Sequence, residues 1–258
     1  MDFSEIEAGV RAVDVPADVH EAALGHLRTW LEGEPTRDYR AAILGLARAG
    51  RFDELVDAFY RVLPFGTGGR RGAVGVGPNR LNPLAVATSV QGHAAWLTQR
   101  HQGELHVVIA YDVRCFADAR QVYAEDAQPP VMGWTSRRFA ELAATVYAAN
   151  GVVAHLLPPD ADYYMSTPEL SYVVRALGAA AGLNVSASHN PPDDNGVKVY
   201  DERGGQLVPP HDESLLSEVA RWSEAKSMPL EEAVAAGLVR WLPRAQHEAY
   251  VRTVAGLA

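Results

Sequence analysis

The densest run of reactive side-chain types is residues 186–200, Ser-Ala-Ser-His-Asn-Pro-Pro-Asp-Asp-Asn-Gly-Val-Lys-Val-Tyr. It gathers the Ser188 hydroxyl, the His189 imidazole, the Asn190 and Asn195 amides and the Lys198 ammonium on one short segment. Serine is a weak nucleophile until a neighbouring group or a metal activates it. A lysine and a histidine beside it would stabilise phosphoryl oxygens, whose charge dominates a loose phosphoryl-transfer transition state. The plainer reading is turn chemistry: the prolines stiffen the segment, Asn195-Gly196 turns it, and the hydroxyl and imidazole fall there by chance. A second run, 66–77, holds six glycines and the adjacent Arg70 and Arg71. It reads as a loop, not as the interior of an element.

The elements that must hold these loops alternate in type. Leu105–Tyr111 (LHVVIAY) is a short apolar, β-branched run, and 152–157 and 183–187 repeat the pattern. Between them lie helical segments: 83–99 opened by Asn82-Pro83, 136–150 with Ser136 as N-cap, and 167–181 capped by Thr167-Pro168-Glu169. Strands separated by helices imply right-handed crossovers and a mostly parallel sheet covered on both faces. Ligands in such sheets sit beyond the carboxyl ends of strands, where the strand order switches, and 186–200 follows the third strand. The fold class expected is therefore α/β, a three-layer α/β/α domain with a mostly parallel mixed sheet. An N-terminal helical segment (1–61) precedes the main domain (62–225), and 226–258 reads as the start of a second, incomplete domain. Residues 115–135, with Pro129-Pro130 and Gly133, read as an inserted surface loop. Asp160-Ala161-Asp162 reads as a solvated turn, Cys115 as a packed thiol, and Trp96, Phe139 and Tyr147 as core.

Composition narrows the function classes. Lys+Arg number 23 against 32 Asp+Glu, a formal charge of −9 over 258 residues, which repels nucleic acid and anionic lipid alike. Neither nucleic acid nor membrane is expected as a partner. One cysteine allows no internal disulfide and no multi-cysteine zinc site. With an acidic N-terminus in place of a signal peptide, it points to the cytoplasm. The two lysines follow no glycine, so no GxxxxGK[ST] phosphate loop exists. Gly75-Val76-Gly77 lacks a third glycine for dinucleotide binding, and no GxSxG marks a hydrolase elbow around Ser188.

The run 186–198 resembles the phosphoserine loop of the α-D-phosphohexomutase superfamily, T-A-S-H-N-P-x-x-x-N-G-x-K. Ala187, Ser188, His189, Asn190, Pro191, Asn195, Gly196 and Lys198 match, with Ser186 in place of threonine. Gly66-Thr67-Gly68-Gly69-Arg70-Arg71-Gly72 resembles the family's G-T-[SG]-G-L-R-G; Arg70 stands where leucine is usual and Arg71 matches the arginine. Tyr111-Asp112-Val113-Arg114 is similar to Y-D-x-R, and 167–172 (TPELSY) to T-P-x-L-S-Y. The pattern over roughly 60–210 looks most like the larger phosphoglucomutase/phosphopentomutase branch.

The resemblance implies a phosphosugar mutase that moves phosphate between O1 and O6 of a hexose, glucose 1-phosphate and glucose 6-phosphate, through a bisphosphorylated intermediate. Mannose and pentose phosphates are alternative substrates, and a non-catalytic phosphosugar-binding domain is the rival from another class. Ser188 would carry the phosphoryl group, whose oxygen would be one ligand of Mg²⁺. Arg71 and Lys198 would neutralise the group's charge, Lys198 also serving as acid/base, while His189 and Asn190 position phosphate and sugar. Gly68, Gly69 and Arg114 join the expected phosphate-binding set; the plainer reading of Asp112 and Arg114 is that they pair with one another or brace the catalytic loop. The family's D-G-D-x-D-R metal loop, G-E-E-S-G sugar loop and R-x-S-G-T-E phosphate loop do not occur. The chain is therefore expected to be the N-terminal part of a longer mutase, inactive alone.

Overall fold

The computed structural model describes residues 2–66 and 68–257. Four helices come first: α1 (Phe3–Arg11), α2 (Ala17–Glu32), α3 (Arg40–Arg48) and α4 (Phe52–Phe59). The first begins where the Asp2 carboxylate accepts from the Glu5 amide at 3.0 Å and Glu5 accepts from the Asp2 amide at 2.7 Å. That reciprocal cap satisfies two donors the helix cannot. Apolar residues three and four apart turn one face of each helix inward. Ile6, Leu27, Ile43, Leu55 and Phe59 are buried in one cluster, with Trp30 edge-on to Tyr39 and Phe59.

A six-stranded sheet follows, in the order β1-β5-β4-β2-β3-β6. The strands are β1 (Gly69–Ala73), β2 (Leu105–Tyr111), β3 (Val152–Leu156), β4 (Ala181–Val185), β5 (Asp194–Tyr200) and β6 (Val239–Trp241). Strands β4, β2, β3 and β6 are mutually parallel, β5 runs against β4, and β1 runs against β5. The chain enters β2 through α5 (Pro83–Arg100), passes to β3 through α6 (Ser136–Ala149), and returns across β2 to β4 through α7 (Thr167–Leu177). Right-handed crossovers in opposite directions put α6 and α7 on opposite faces, so the sheet is the middle of three layers. Helices α5, α8 (His211–Val219) and α9 (Leu230–Ala235) share the α6 layer, and α10 (Arg244–Ala255) lies on α7. Covered on both sides, β2 is apolar along its length, with Val107 to Ala110 wholly buried. Phe139 and Tyr147 of α6 are buried in the same core.

Three expectations are corrected and one is qualified. The glycine run 66–77, expected as a loop, contains edge strand β1, because Gly69 has no Cβ to collide with the Val197 carbonyl oxygen of β5. Lys198 accordingly sits within a strand. Residues 115–135 form the expected irregular, mostly exposed segment, but it is anchored: Phe116 and Val131 are buried, and Tyr123 packs on both hydrophobic clusters while its hydroxyl accepts from the Val76 amide at 2.9 Å. The segment fastens the helical region to the sheet domain. Residues 226–258, expected to open a second domain, extend this one. Strand β6 pairs with β3, Ala233 and Leu242 are buried in the main core, and His247 of α10 meets Glu169 of α7 at 2.8 Å. Finally, the N-caps of α6 and α7 are Thr135 and Ser166, one residue earlier than expected.

No helix among the described residues is long and apolar enough to cross a membrane.

Candidate functional site

The strand order reverses between β2 and β4, and the loops leaving their carboxyl ends diverge there, which opens a crevice. The loop from β4 carries Ser188 and His189, both exposed. Ser188 has φ +58°, the left-handed region that a residue with a Cβ rarely occupies. Local bonds hold it there. Its amide donates to Ser186 Oγ at 3.0 Å, and the Asn190 amide donates to the Ala187 carbonyl at 3.1 Å. The Ser188 hydroxyl lies 3.5 Å from His189 Nδ1. Asn190 Nδ2 donates to Asp194 Oδ2 at 2.9 Å, which fixes its amide inside the loop.

The loop is braced from the β2 side. Arg114 donates through Nε to Asp112 Oδ2 (2.8 Å), through Nη1 to the carbonyls of Pro191 (3.1 Å) and Asp194 (2.6 Å), and through Nη2 to the carbonyl of Ser188 (3.0 Å). Asp112 Oδ1 accepts from Ser136 Oγ at 2.6 Å, and that hydroxyl accepts from Asn195 Nδ2 at 2.8 Å. Ser136 is 0% exposed and Asn195 3%. Asp193, 2% exposed, accepts the Arg120 amide at 3.1 Å, while its carbonyl accepts the Val74 amide at 2.9 Å. Asp193 Oδ1 is the one atom of this set left buried without a hydrogen-bond partner among the described residues; the other pairings define the loop conformation, since each lost partner would strand a desolvated group.

Strands β1 and β5 make the second part of the site. Directly opposed residues of an antiparallel pair share a face, so Lys198, opposite Gly69, and Arg71, opposite Gly196, project to one side. That is the α7 side, because Asn184, paired with Lys198, donates to Thr167 Oγ1 at 2.9 Å. The Lys198 ammonium is held below the ordinary lysine range first by burial and then by the charge of Arg71, against an opposing pull from Asp112. Arg70 projects to the other side, toward α5. A cleft of about 460 Å³ runs along this edge, lined by Gly69, Arg70, Arg71, Lys198 and Gln206 among others.

Of the expected site residues, the structure gathers Gly69, Arg71 and Lys198 in the cleft, and Ser188, His189 and Asn190 on the adjacent loop. Gly68 is buried with φ +66° at the turn into β1, and its carbonyl accepts the Val199 amide at 2.7 Å. Thr67 of the same motif lies outside the described residues. Arg114, expected either among the phosphate binders or as a partner of Asp112 bracing the loop, takes the second role: its guanidinium is directed to Asp112 and to loop carbonyls. Cys115, expected as a packed thiol, is exposed. Ser136, Asp193 and Arg120 were not legible as site residues: Ser136 carries only the signal of a helix start, and the other two become partners through contacts far apart in sequence. The residues present do not build a magnesium site. Among the described residues no group of three His, Cys, Asp or Glu side chains could hold a metal ion, and the nearby Asp193 and Asp194 face Arg120 and Asn190.

The family model for phosphoglucomutase/phosphomannomutase, alpha/beta/alpha domain I, matches residues 63–123 and 134–226. The chain is 32% identical over 188 residues to a phosphopentomutase from Homo sapiens, covering 72% of this chain and 28% of that protein. It is 39% identical over 157 residues to a phosphoglucomutase from Staphylococcus saprophyticus (61% and 24% covered). It is also 34% identical over 200 residues to a glucose 1,6-bisphosphate synthase from Homo sapiens (76% and 29%). The chain thus spans less than a third of the length of each of these relatives.

Proposed function

The chain belongs to the α-D-phosphohexomutase superfamily, and from that premise we propose that it forms the phosphoryl-carrying domain of a phosphosugar mutase. Ser188 Oγ carries the phosphoryl group. When it is donated, the bond from phosphorus to Ser188 Oγ breaks and a bond to a sugar hydroxyl oxygen forms, yielding a sugar bisphosphate. Lys198, as the ammonium, gives a proton to the departing Ser188 Oγ and regains one from the attacking sugar hydroxyl, and its depressed pKa suits it to exchange protons nearer neutral pH than an ordinary lysine. After the bisphosphate turns over in the site, its other phosphoryl group returns to Ser188, so that phosphate has moved between O1 and O6 of the hexose. Arg71 and the protonated Lys198 offset the charge of about −1.5 to −2 that a phosphoserine carries at pH 7.

The observation that supports this reading is the presentation of Ser188. It is an exposed hydroxyl in a left-handed conformation at the strand-order switch, on a loop whose carbonyls at Ser188, Pro191 and Asp194 are held by Arg114, beside a cleft with Arg71 and Lys198 in its wall. Glucose 1-phosphate and glucose 6-phosphate are the substrates we assign; the match to a phosphopentomutase favours a pentose phosphate as the second reading. Mg²⁺ would act as an electrophile at the phosphoryl oxygens. Of this chain's residues only Ser188, once phosphorylated, would contribute a ligand, and no step is assigned to the ion. The cytoplasm is the proposed compartment, in keeping with the lone cysteine.

The test is intact-mass spectrometry of the protein from its natural source, with and without phosphatase, followed by peptide mapping. One phosphoryl group located on Ser188, removed by phosphatase or passed to a hexose monophosphate when the sugar bisphosphate leaves before the return transfer, is the expected result. A Ser188 that never bears phosphate, in a protein that still binds sugar phosphates, would establish the non-catalytic binding domain instead.

A further inference from the structure

Arg70 is a buried cation with no anion. It is 8% exposed, and its Nε is buried without a hydrogen-bond partner among the described residues. Its Nη1 reaches only neutral acceptors, Ser89 Oγ at 3.2 Å and the Ala85 carbonyl at 3.4 Å. Burial pushes its pKa down to about 10 with no carboxylate acting against the shift, so the guanidinium is still charged at neutral pH. Buried charges in folded proteins are ordinarily paired, because an isolated one forfeits its hydration with nothing in return. The other buried arginine among the described residues obeys this rule: Arg80 meets Asp57 at 2.7 Å and Glu54 at 3.4 Å.

The surroundings say what is missing. Arg70 lines the cleft together with Arg71 and Lys198, and no acidic residue lines it. Strand β1 is the edge of the sheet, and its residues of both faces, Arg71 on the α7 side and Arg70 on the α5 side, contribute to the wall of this one cleft. A guanidinium offers a planar fork of donors matched to a tetrahedral oxyanion, and the cleft has room for one. We propose that Arg70 is the anchor of a phosphoryl-anion subsite on the α5 side of β1, separate from Ser188, which takes either free phosphate or the phosphoryl group of a sugar phosphate. The proposal goes beyond the mutase reading: a Ser188 that never takes up phosphate would leave it standing.

Titration calorimetry of the full chain with inorganic phosphate, against chloride at equal ionic strength, tests the subsite. Arg70→Leu is expected to weaken phosphate binding by about tenfold or more, the worth of one charge-assisted hydrogen bond. Ser188→Ala is expected to leave it unchanged. Thermal unfolding provides the fold control: phosphate should raise the Tm of the wild type by linkage and that of Arg70→Leu much less, while Arg70→Leu without phosphate melts no lower than the wild type. Should Arg70→Leu unfold, Arg70→Met is measured in its place. Repeating the titration with glucose 6-phosphate separates the sources. Equal affinity for the two ligands assigns free phosphate, and tighter binding of the sugar phosphate with the same loss in Arg70→Leu assigns a sugar's phosphoryl group. Wild-type phosphate affinity in the Arg70 variants, or no phosphate binding by the wild type, would overturn the subsite.

Discussion

The loop after β4 and the edge strand β1 each enclose an arginine, and they treat it in opposite ways. Arg114 finds a carboxylate and three loop carbonyls within 3.1 Å. Arg70 finds a hydroxyl and one long carbonyl contact. In the first region the guanidinium is a structural rivet: four of its five N–H donors are directed inward and Ser188 is held in a strained backbone conformation from below. In the second the donors are left unmatched beside a cationic cleft. One region is organised before any ligand arrives, whereas the other completes its charge balance only when an anion does. Preorganised groups reduce the rearrangement needed in a transition state, and an unpaired charge supplies affinity for an incoming one. In the function proposed for Ser188 and the subsite proposed at Arg70, the two regions divide presentation of the reacting oxygen from capture of charge.

Several perturbations would break or sharpen that contrast. The largest effect belongs to Ser188→Ala in the whole protein: turnover should fall by on the order of 10⁴-fold or more, as for loss of a covalent nucleophile. Its unfolding midpoint should stay put, because the Ser188 side chain is exposed. Steady-state kinetics with denaturant unfolding checks both halves. Arg114→Ala comes next. It leaves Asp112 and three carbonyls without their donor and should cost about 3 kcal/mol of stability by urea denaturation. If stability is unchanged, the loop does not depend on its brace. Ser136→Ala removes the hydroxyl between Asp112 and Asn195 and should cost about 2 kcal/mol. Turnover should also drop, while Ser136→Thr restores part of it; a loss of stability with full turnover would confine Ser136 to packing.

The smallest effect is electrostatic. Because burial and the Arg71 charge both disfavour the protonated form, the folded pKa of Lys198 lies below its ordinary 10.5. Between those two values the unfolded chain binds more protons than the folded one, so stability rises with pH across that window. A bound phosphate favours the charged ammonium and should move the Lys198 midpoint upward in an NMR titration of the side chain. A midpoint indifferent to phosphate would remove Lys198 from the charge-capturing region.

Parts of this arrangement were open to reading before any coordinates. Strand β2 runs over Leu105–Tyr111 as expected, since a segment buried on both faces must be apolar throughout, and that is a local property. The helix over 83–99 was as plain, for Asn82 caps it by accepting the Ala85 amide at 3.0 Å and Pro83 suits its first turn. Strand β1 was hidden, because glycines and arginines carry no strand signal of their own; it exists only where β5 supplies a ladder. Ser136 misled for a related reason: helix starts favour a hydroxyl, and Thr135 took the cap, which freed Ser136 for the loop. The buried residues of 115–135 were masked by the prolines and glycine among them.

The chain itself, read residue by residue, settled which side chains can do chemistry and which type of sheet displays them. Side-chain identity and the 2.0 and 3.6 periods are written into neighbouring positions. Partnership is another matter. Asn195 reaches Ser136 across 59 positions and Arg114 reaches the Asp194 carbonyl across 80. Only the folded arrangement could decide that Arg114 is satisfied and Arg70 is not, because the worth of a charge depends on the solvent and partners left around it once distant segments have closed over it.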